Sequence, residues 1–169
     1  MAKVAILVEQ QYQELEVWYP ALRLKEEGWA TVFVGPAAGV EYKGKYGYPV
    51  KSELAIDDAR AEDFDAVVVP GGFAPDFMRR VPRMVEFVRT MHEAGKVVAA
   101  ICHGGWLLAS AEIVRNKKVT SFFAIKDDLV HAGARWIDSE AVVDGTIITS
   151  RKPEDLPAFC REIIKQLRA

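Results

Sequence analysis

The stretch that most constrains this chain is Val97-Val98-Ala99-Ala100-Ile101-Cys102-His103-Gly104-Gly105-Trp106-Leu107-Leu108-Ala109. Its first five residues are apolar without interruption, which reads as a strand covered on both faces, at the centre of a parallel sheet. Two glycines and a second apolar run of helical character follow. A sharp strand-to-helix turn pushes the residue at its apex out of the sheet, and that residue here is Cys102. Hydrolases of the G-x-S-x-G type hold their nucleophile in such an elbow, with a serine hydroxyl where this chain has a thiol. A helix N-terminus favours the thiolate, so Cys102 is expected to carry a depressed pKa.

Strands and helices alternate on both sides of this stretch. Lys3 to Val8 reads as a strand and Glu14 to Glu27 as a helix, with Leu15, Trp18, Leu22 and Leu24 or Lys25 at helical spacing and Gly28 at its end. Ala30 to Val34 is a second strand, Glu41 to Lys51 a small hairpin, and Asp65 to Val69 a third core strand stopped by Pro70-Gly71-Gly72. Pro82 to Ala94 is a helix with Met84, Val85, Phe87, Val88 and Met91 inward. After the elbow come a short strand from Lys118 to Ser121 and a short helix from Ile125 to Ala132. Asp144-Gly145 predicts a type I′ hairpin over residues 141–148, and Pro153 to Leu167 is a closing helix. The pattern predicts one α/β domain over residues 1–169: a three-layer α/β/α sandwich, flavodoxin-like or Rossmann-like, with a parallel sheet and a nucleophile elbow.

Composition narrows the function. A chain of 169 residues can bury one sizeable core. A net charge of −2 gives no reason to expect nucleic acid or an anionic membrane as partner. No apolar run approaches the ~20 residues that span a bilayer. Met1 to Val8 is too short for a secretory signal, so the expected compartment is the cytoplasm. There Cys102 and Cys160 are expected to stay reduced. His92, His103 and His131 lack ligand spacing, and neither a metal nor a cofactor is expected.

Ligands of such sheets bind beyond the carboxyl ends of the strands. Glu9 to Glu16, the hairpin near Lys45, Gly71-Gly72 and Cys102-His103 all fall there. Cys160 shares a helical face with Leu156, Phe159, Ile163, Ile164 and Leu167, which reads as core. His103 is either a base for the thiol or a solvent or subunit contact. Glu16 placed over the cysteine would have a raised pKa, with Glu14 and Gln13 as competitors for the position. The bare N–H groups of Gly71 and Gly72 suit an oxyanion hole. Asp127 and Asp128 read as structural or solvent-facing. Tyr12, Tyr42, Tyr46 and Tyr48 with Trp106 form either an aromatic rim or packing.

These motifs together resemble the PfpI family of intracellular proteases and deglycases, within the broader parkinsonism-associated superfamily. The resemblance rests on Glu16 through Tyr19-Pro20, Gly44-Lys45-Tyr46-Gly47, Val69-Pro70-Gly71-Gly72 and Ala100-Ile101-Cys102-His103-Gly104. It extends through Ile125-Lys126-Asp127-Asp128, His131-Ala132-Gly133, Thr149-Ser150-Arg151 and Asp155-Leu156. It implies a nucleophilic Cys102, Glu16 hydrogen-bonded to its sulfur, and an oxyanion pocket from the Gly72 and His103 N–H groups. It also implies a homodimer that in some members stacks into a hexamer. In protease-like members an acidic residue of a neighbouring subunit pairs with the histidine. The matching residue here is Asp76, shorter than the usual glutamate. Gly105-Trp106 replaces the family's usual proline and glutamine, and Phe122 replaces a tyrosine that often lines the site, which makes the pocket more apolar. Lys45 and Phe122 count among the expected substrate-binding residues.

Three functions compete. A thiolate enzyme would act on small reactive carbonyls or on their glycated adducts. A cysteine peptidase would use Cys102 and His103 with Asp76. A non-catalytic sensor would respond through oxidation of Cys102. The weaker relay residue and the lack of an insertion to build a peptide groove favour the first. A class I glutamine amidotransferase is excluded, because no His-x-Glu pair follows Cys102.

Overall fold

The computed structural model describes all residues, Met1–Ala169. In chain order the elements are β1 (Lys3–Leu7), α1 (Glu14–Glu26), β2 (Ala30–Gly35), β3 (Glu41–Lys43), β4 (Pro49–Lys51), β5 (Leu54–Ala55), β6 (Ala66–Val69), α2 (Ala74–Met78), α3 (Pro82–Glu93), β7 (Val97–Ile101), α4 (Gly105–Ser110), β8 (Lys118–Val119), α5 (Lys126–His131), β9 (Arg135–Trp136), β10 (Val142–Asp144), β11 (Ile147–Ser150) and α6 (Leu156–Arg168). Seven strands form the central sheet in the order β10-β11-β7-β6-β1-β2-β5, parallel throughout except for β10. Helices α1 and α6 pack together on one face, and α3 and α4, flanked by α2 and α5, cover the other. This is the expected three-layer sandwich.

Burial explains the strand sequences. β1, β6 and β7 are covered on both faces, so they carry Val, Ile, Leu and Ala without alternation. Their side chains join one continuous core of 49 buried residues. The small residues Ala99 and Ala100 of β7 face β11 and β6 in register, Ala99 against Ile148 and Val68, Ala100 against Thr149 and Val69. No helix is long and apolar enough to cross a membrane.

The structure corrects two readings and adds three short elements. The buried face of α1 is Glu16, Val17, Pro20, Ala21 and Leu24, whereas Leu15 and Leu22 are 54% and 58% exposed. The apolar spacing was misleading because the inward face includes a carboxylate and a proline. The β10–β11 turn is centred on Gly145-Thr146, since Asp144 pairs with Ile147. Only Gly145 has a positive φ, +61°, as in a type II′ rather than a type I′ turn. The short β5, α2 and β9 carry too little periodicity to be seen in sequence.

Gly104 fixes how closely the elbow approaches β6. A Cβ there would lie 2.5 Å from the Val69 carbonyl oxygen and 3.1 Å from that of Pro70, both rigid backbone. At Gly105 the nearest atoms are the Leu129 and Ile125 methyls, 3.2 Å and 3.4 Å away, which can shift. Urea unfolding should therefore separate two adjacent substitutions. Gly104→Ala is expected to lose more than ~3 kcal/mol. Gly105→Ala, in the first turn of a helix, should stay within ~1 kcal/mol of the parent. Equal losses would mean that backbone contact at Gly104 does not set the elbow.

Candidate active site

Cys102 follows the last residue of β7 with φ +60°, a left-handed conformation that costs energy for a residue with a side chain. The packed sheet on one side and Gly104 on the other hold it there. Its carbonyl accepts from the Phe122 N–H at 3.2 Å, which ties the elbow to the loop before α5. Residues Cys102–Gly104 form a 3₁₀ turn, and α4 starts only at Gly105 and is six residues long. The sulfur therefore does not sit at the foot of a long helix, and the dipole effect falls off within a turn.

That geometry overturns the expected depressed thiol. Burial first, and then an ionised Glu16, push the Cys102 thiol up to about 12. The N–H groups of His103 and Gly72 and the charge of Lys45 act in the opposite direction. Cys160, also free and buried in the core, is pushed up to about 12 by burial.

Glu16 lies in the first turn of α1 and is fully buried. Its Oε2 accepts the Gly71 N–H at 2.7 Å. Burial raises its pKa to about 7, against the pull of that N–H, of Lys45 and of the thiol. The thiol approaches closely enough to contribute, yet Oε1 has no partner of hydrogen-bond geometry. A Cβ at Gly71 would stand 2.6 Å from Glu16 Oε2 and 2.7 Å from the Cys102 Cβ, so only glycine lets carboxyl and thiol meet over this turn. The expectation for the two glycines divides accordingly. The Gly71 N–H is committed to Glu16 and is not an oxyanion donor, whereas the Gly72 and His103 N–H groups point at the sulfur. Gly72 has φ +74°, and its backbone lies against residues 11–13.

His103 places Nδ1 3.3 Å from the Cys102 sulfur, which brings together the two neighbours in sequence. Its ring stacks on Phe122, with centroids 5.1 Å apart at 29°, and meets the edge of Trp106 at 5.1 Å and 73°. Trp106 is itself anchored, since its Nε1 donates to Asp128 Oδ2 at 2.7 Å. Burial first, then Lys45, lower the His103 pKa, while Asp128 opposes them. Asp128 is thus the carboxylate that acts on His103 within the chain. Asp76, on α2, pairs with Arg80 at the surface and makes no contact with His103 within the chain.

The β3–β4 hairpin brings in Lys45. The Lys45 N–H donates to the Tyr12 carbonyl at 2.9 Å, the Tyr46 N–H to Glu14 Oε1 at 2.7 Å, and the Tyr12 hydroxyl to the Tyr48 carbonyl at 2.5 Å. Glu14 and Gln13 do not compete with Glu16: one holds the hairpin, and the other caps α1 by accepting from the Leu15 N–H at 2.6 Å. The aromatic rim is reduced in the same way, because Tyr12 and Tyr42 are buried and only Tyr46 and Tyr48 are exposed.

These groups surround a cavity of about 260 Å³ that holds Glu16, Cys102, His103, Gly72, Lys45 and Phe122 together. Gln13, Phe73, Lys152 and Pro153 complete its lining. Sequence reasoning missed Phe73, Lys152 and Pro153 here. Lys152 lies just past the carboxyl end of β11, and the rule that collected the other loops would have found it. A depression of about 390 Å³ at the amino ends of the strands, lined by Met1, Asp65, Lys96 and Thr146 among others, holds none of these groups.

Residues 2–166 match the model of the DJ-1/PfpI family. A Pyrococcus furiosus protein named Deglycase PfpI is 43% identical over 166 residues, 98% of this chain and 99% of its own length. The Protein/nucleic acid deglycase 2 of Escherichia coli is 40% identical over 169 residues, 99% of this chain and 98% of its own. YraA of Bacillus subtilis, whose name makes it a candidate cysteine protease, is 42% identical over 98% of both chains. An Anabaena variabilis protein with a DJ-1/ThiJ/PfpI-like and a ferritin-like domain superposes with a TM-score of 0.97 at 44% identity, over 99% of this chain and 48% of that one. Drosophila melanogaster DJ-1beta superposes with a TM-score of 0.92 at 26% identity, over 98% and 90%. Family model, relatives and fold agree over the same residues, and the chain belongs to the DJ-1/PfpI family.

Proposed function

We propose that this chain is a cysteine-dependent hydrolase of small reactive carbonyls and of their adducts on amines, in the manner of the relatives named deglycases. The observation that carries the reading is the meeting of the Cys102 sulfur with His103 Nδ1 at 3.3 Å, the buried Glu16 carboxyl and two backbone N–H groups. Between the titration of Glu16 near 7 and that of the thiol near 12, the pair holds one proton. Repulsion from Glu16 is the second cause of the high thiol value, and it vanishes when the proton moves from sulfur to carboxyl. The orphan Oε1 then has a hydrogen to donate to the sulfur.

The thiolate attacks the aldehyde carbon of an α-oxoaldehyde. A C–S bond forms, and the carbonyl π electrons move to oxygen, where the Gly72 and His103 N–H groups receive them. With an adduct on an amine, the C–N bond breaks as C–S forms, and the amine leaves with the proton from Glu16. In the aldehyde case the Glu16 proton passes to the aldehyde oxygen. His103 Nδ1 then takes the C–H proton of the carbinol carbon and returns it to the neighbouring carbonyl carbon, while the carbinol O–H proton passes to that carbonyl's oxygen, which converts the intermediate to a thioester. Water hydrolyses the thioester to a hydroxy acid and restores the thiol. One water is consumed, and no outside oxidant or reductant is required. The small size of the cavity, about 260 Å³, supports this reading over a peptidase, which needs a groove for an extended chain.

Turnover of methylglyoxal, a glycated peptide and a fluorogenic peptide by the parent and Cys102→Ser tests the proposal. The parent should release hydroxy acid from the first two, and the variant should lose at least ~10³-fold. Faster cleavage of the fluorogenic peptide, or an active serine variant, would overturn it.

A second expectation concerns His103, whose half-buried ring is held neutral near pH 7. Trp106→Gln opens that ring to water, so its NMR titration midpoint should rise toward the ordinary 6.5. The acid limb of kcat/KM should rise with it. A midpoint that stays put or falls would show that the aromatic clamp does not set the state of His103.

A further inference from the structure

Two lysines reach the nucleophile's cavity from different parts of the fold. Lys45 comes from the β3–β4 hairpin and Lys152 from the connection between β11 and α6, and both line the space beside Cys102. Neither is paired. The lysines that form ion pairs within the chain are Lys96, Lys117 and Lys165. Arg151, next to Lys152, is fully engaged by Asp138 and Asp155. Glu16 is the one acid in the lining, and it is turned to the Gly71 N–H. Gln13 adds an amide whose oxygen is used by the cap of α1 and whose nitrogen donates to no protein group.

We propose that Lys45, Lys152 and the Gln13 amide form a subsite for a carboxylate, so that the preferred carbonyl substrates carry a carboxylate a few atoms from the reacting carbon. This rests on the carbonyl-hydrolase reading above. Two separate ammonium groups and one amide suit a small monoanion, since the cavity offers neither an arginine fork nor a nest of free backbone N–H groups for a phosphate. Lys45 lines the cavity beside Cys102, and its charge acts on Glu16, Cys102 and His103 across it. At about 260 Å³ the cavity holds roughly nine water-sized groups. That is enough for an α-oxoaldehyde with a short acidic tail. A second cavity of about 410 Å³ shares Phe122 and Lys152 with the first, so Lys152 stands where a longer tail would leave.

The test compares alkylation of Cys102 by iodoacetate and by iodoacetamide, read by peptide mapping of the whole protein. The ratio of the two rates isolates the charge of the reagent. It should exceed the ratio for glutathione by about tenfold and fall with added salt. It should drop in Lys45→Met and in Lys152→Met, and reach the glutathione value in the double variant. Lys165→Met, on the far helix α6, should leave it unchanged. A ratio equal to that of glutathione, or one indifferent to both lysines, overturns the proposal. Failure of both reagents to reach Cys102 counts against it equally. The second arm measures kcat/KM for dioxopentanoate, an α-oxoaldehyde that ends in a carboxylate, and for its methyl ester. The acid should be preferred through KM, and the double variant should erase the preference. A raised alkylation ratio with no turnover of either compound would sink the hydrolase reading and leave the anion subsite standing. Equal turnover of both with a flat ratio would do the reverse.

Discussion

The site depends on one hydrogen bond, from the Gly71 N–H to the buried carboxyl of Glu16 at 2.7 Å. It joins the first helix to the turn after β6, directly over the elbow. A dry carboxylate with a single donor is poorly compensated, and so it holds its proton to higher pH than an exposed one. The sulfur beside it is equally dry. Neither group is comfortable with a charge while the other carries one, and that mutual constraint makes a proton transfer between them the natural first step of chemistry.

The surrounding structure keeps this pair in register. β7 is buried on both faces and ends in a left-handed Cys102, while Gly104 lets the chain turn against the Val69 carbonyl. The imidazole is held by ring contacts instead of by a carboxylate of its own chain: Phe122 stacks on it, and Trp106, fixed by Asp128, closes its edge. The hairpin that carries Lys45 is fastened to the start of α1 by Tyr12 and Glu14. The turn after β6 and the β3–β4 hairpin are thus locked to the same helix end.

Much of this was legible in the sequence because strong local signals coincided. An unbroken apolar strand followed by Cys-His-Gly-Gly has few structural readings, and Pro70-Gly71-Gly72 marks a turn at the same rim. What stayed hidden required knowledge of partners. The two glycines look alike in sequence, yet only the direction of each N–H shows that Gly71 serves Glu16 and Gly72 faces the sulfur. The inward face of α1 was misread because apolar spacing favours Leu15 and Leu22 over a buried acid. A position before a helix predicts an acidic thiol. Burial first, and then the charge of Glu16, reverse that expectation. Asp128 reads from sequence as structural or solvent-facing and is both, an exposed carboxylate that accepts from the Trp106 indole.

The central claim is that Glu16 keeps a proton close to neutrality because it is buried, and that it does so beside the thiol whose proton it takes. Infrared difference spectroscopy tests this without reference to any substrate. At pH 6 the parent protein should show the carbonyl stretch of a protonated carboxyl in a dry site, and Glu16→Gln should lack that band. If the parent at pH 6 shows only ionised carboxylates at this position, with a spectrum that Glu16→Gln changes only by loss of a carboxylate band, then Glu16 cannot be the proton partner of Cys102.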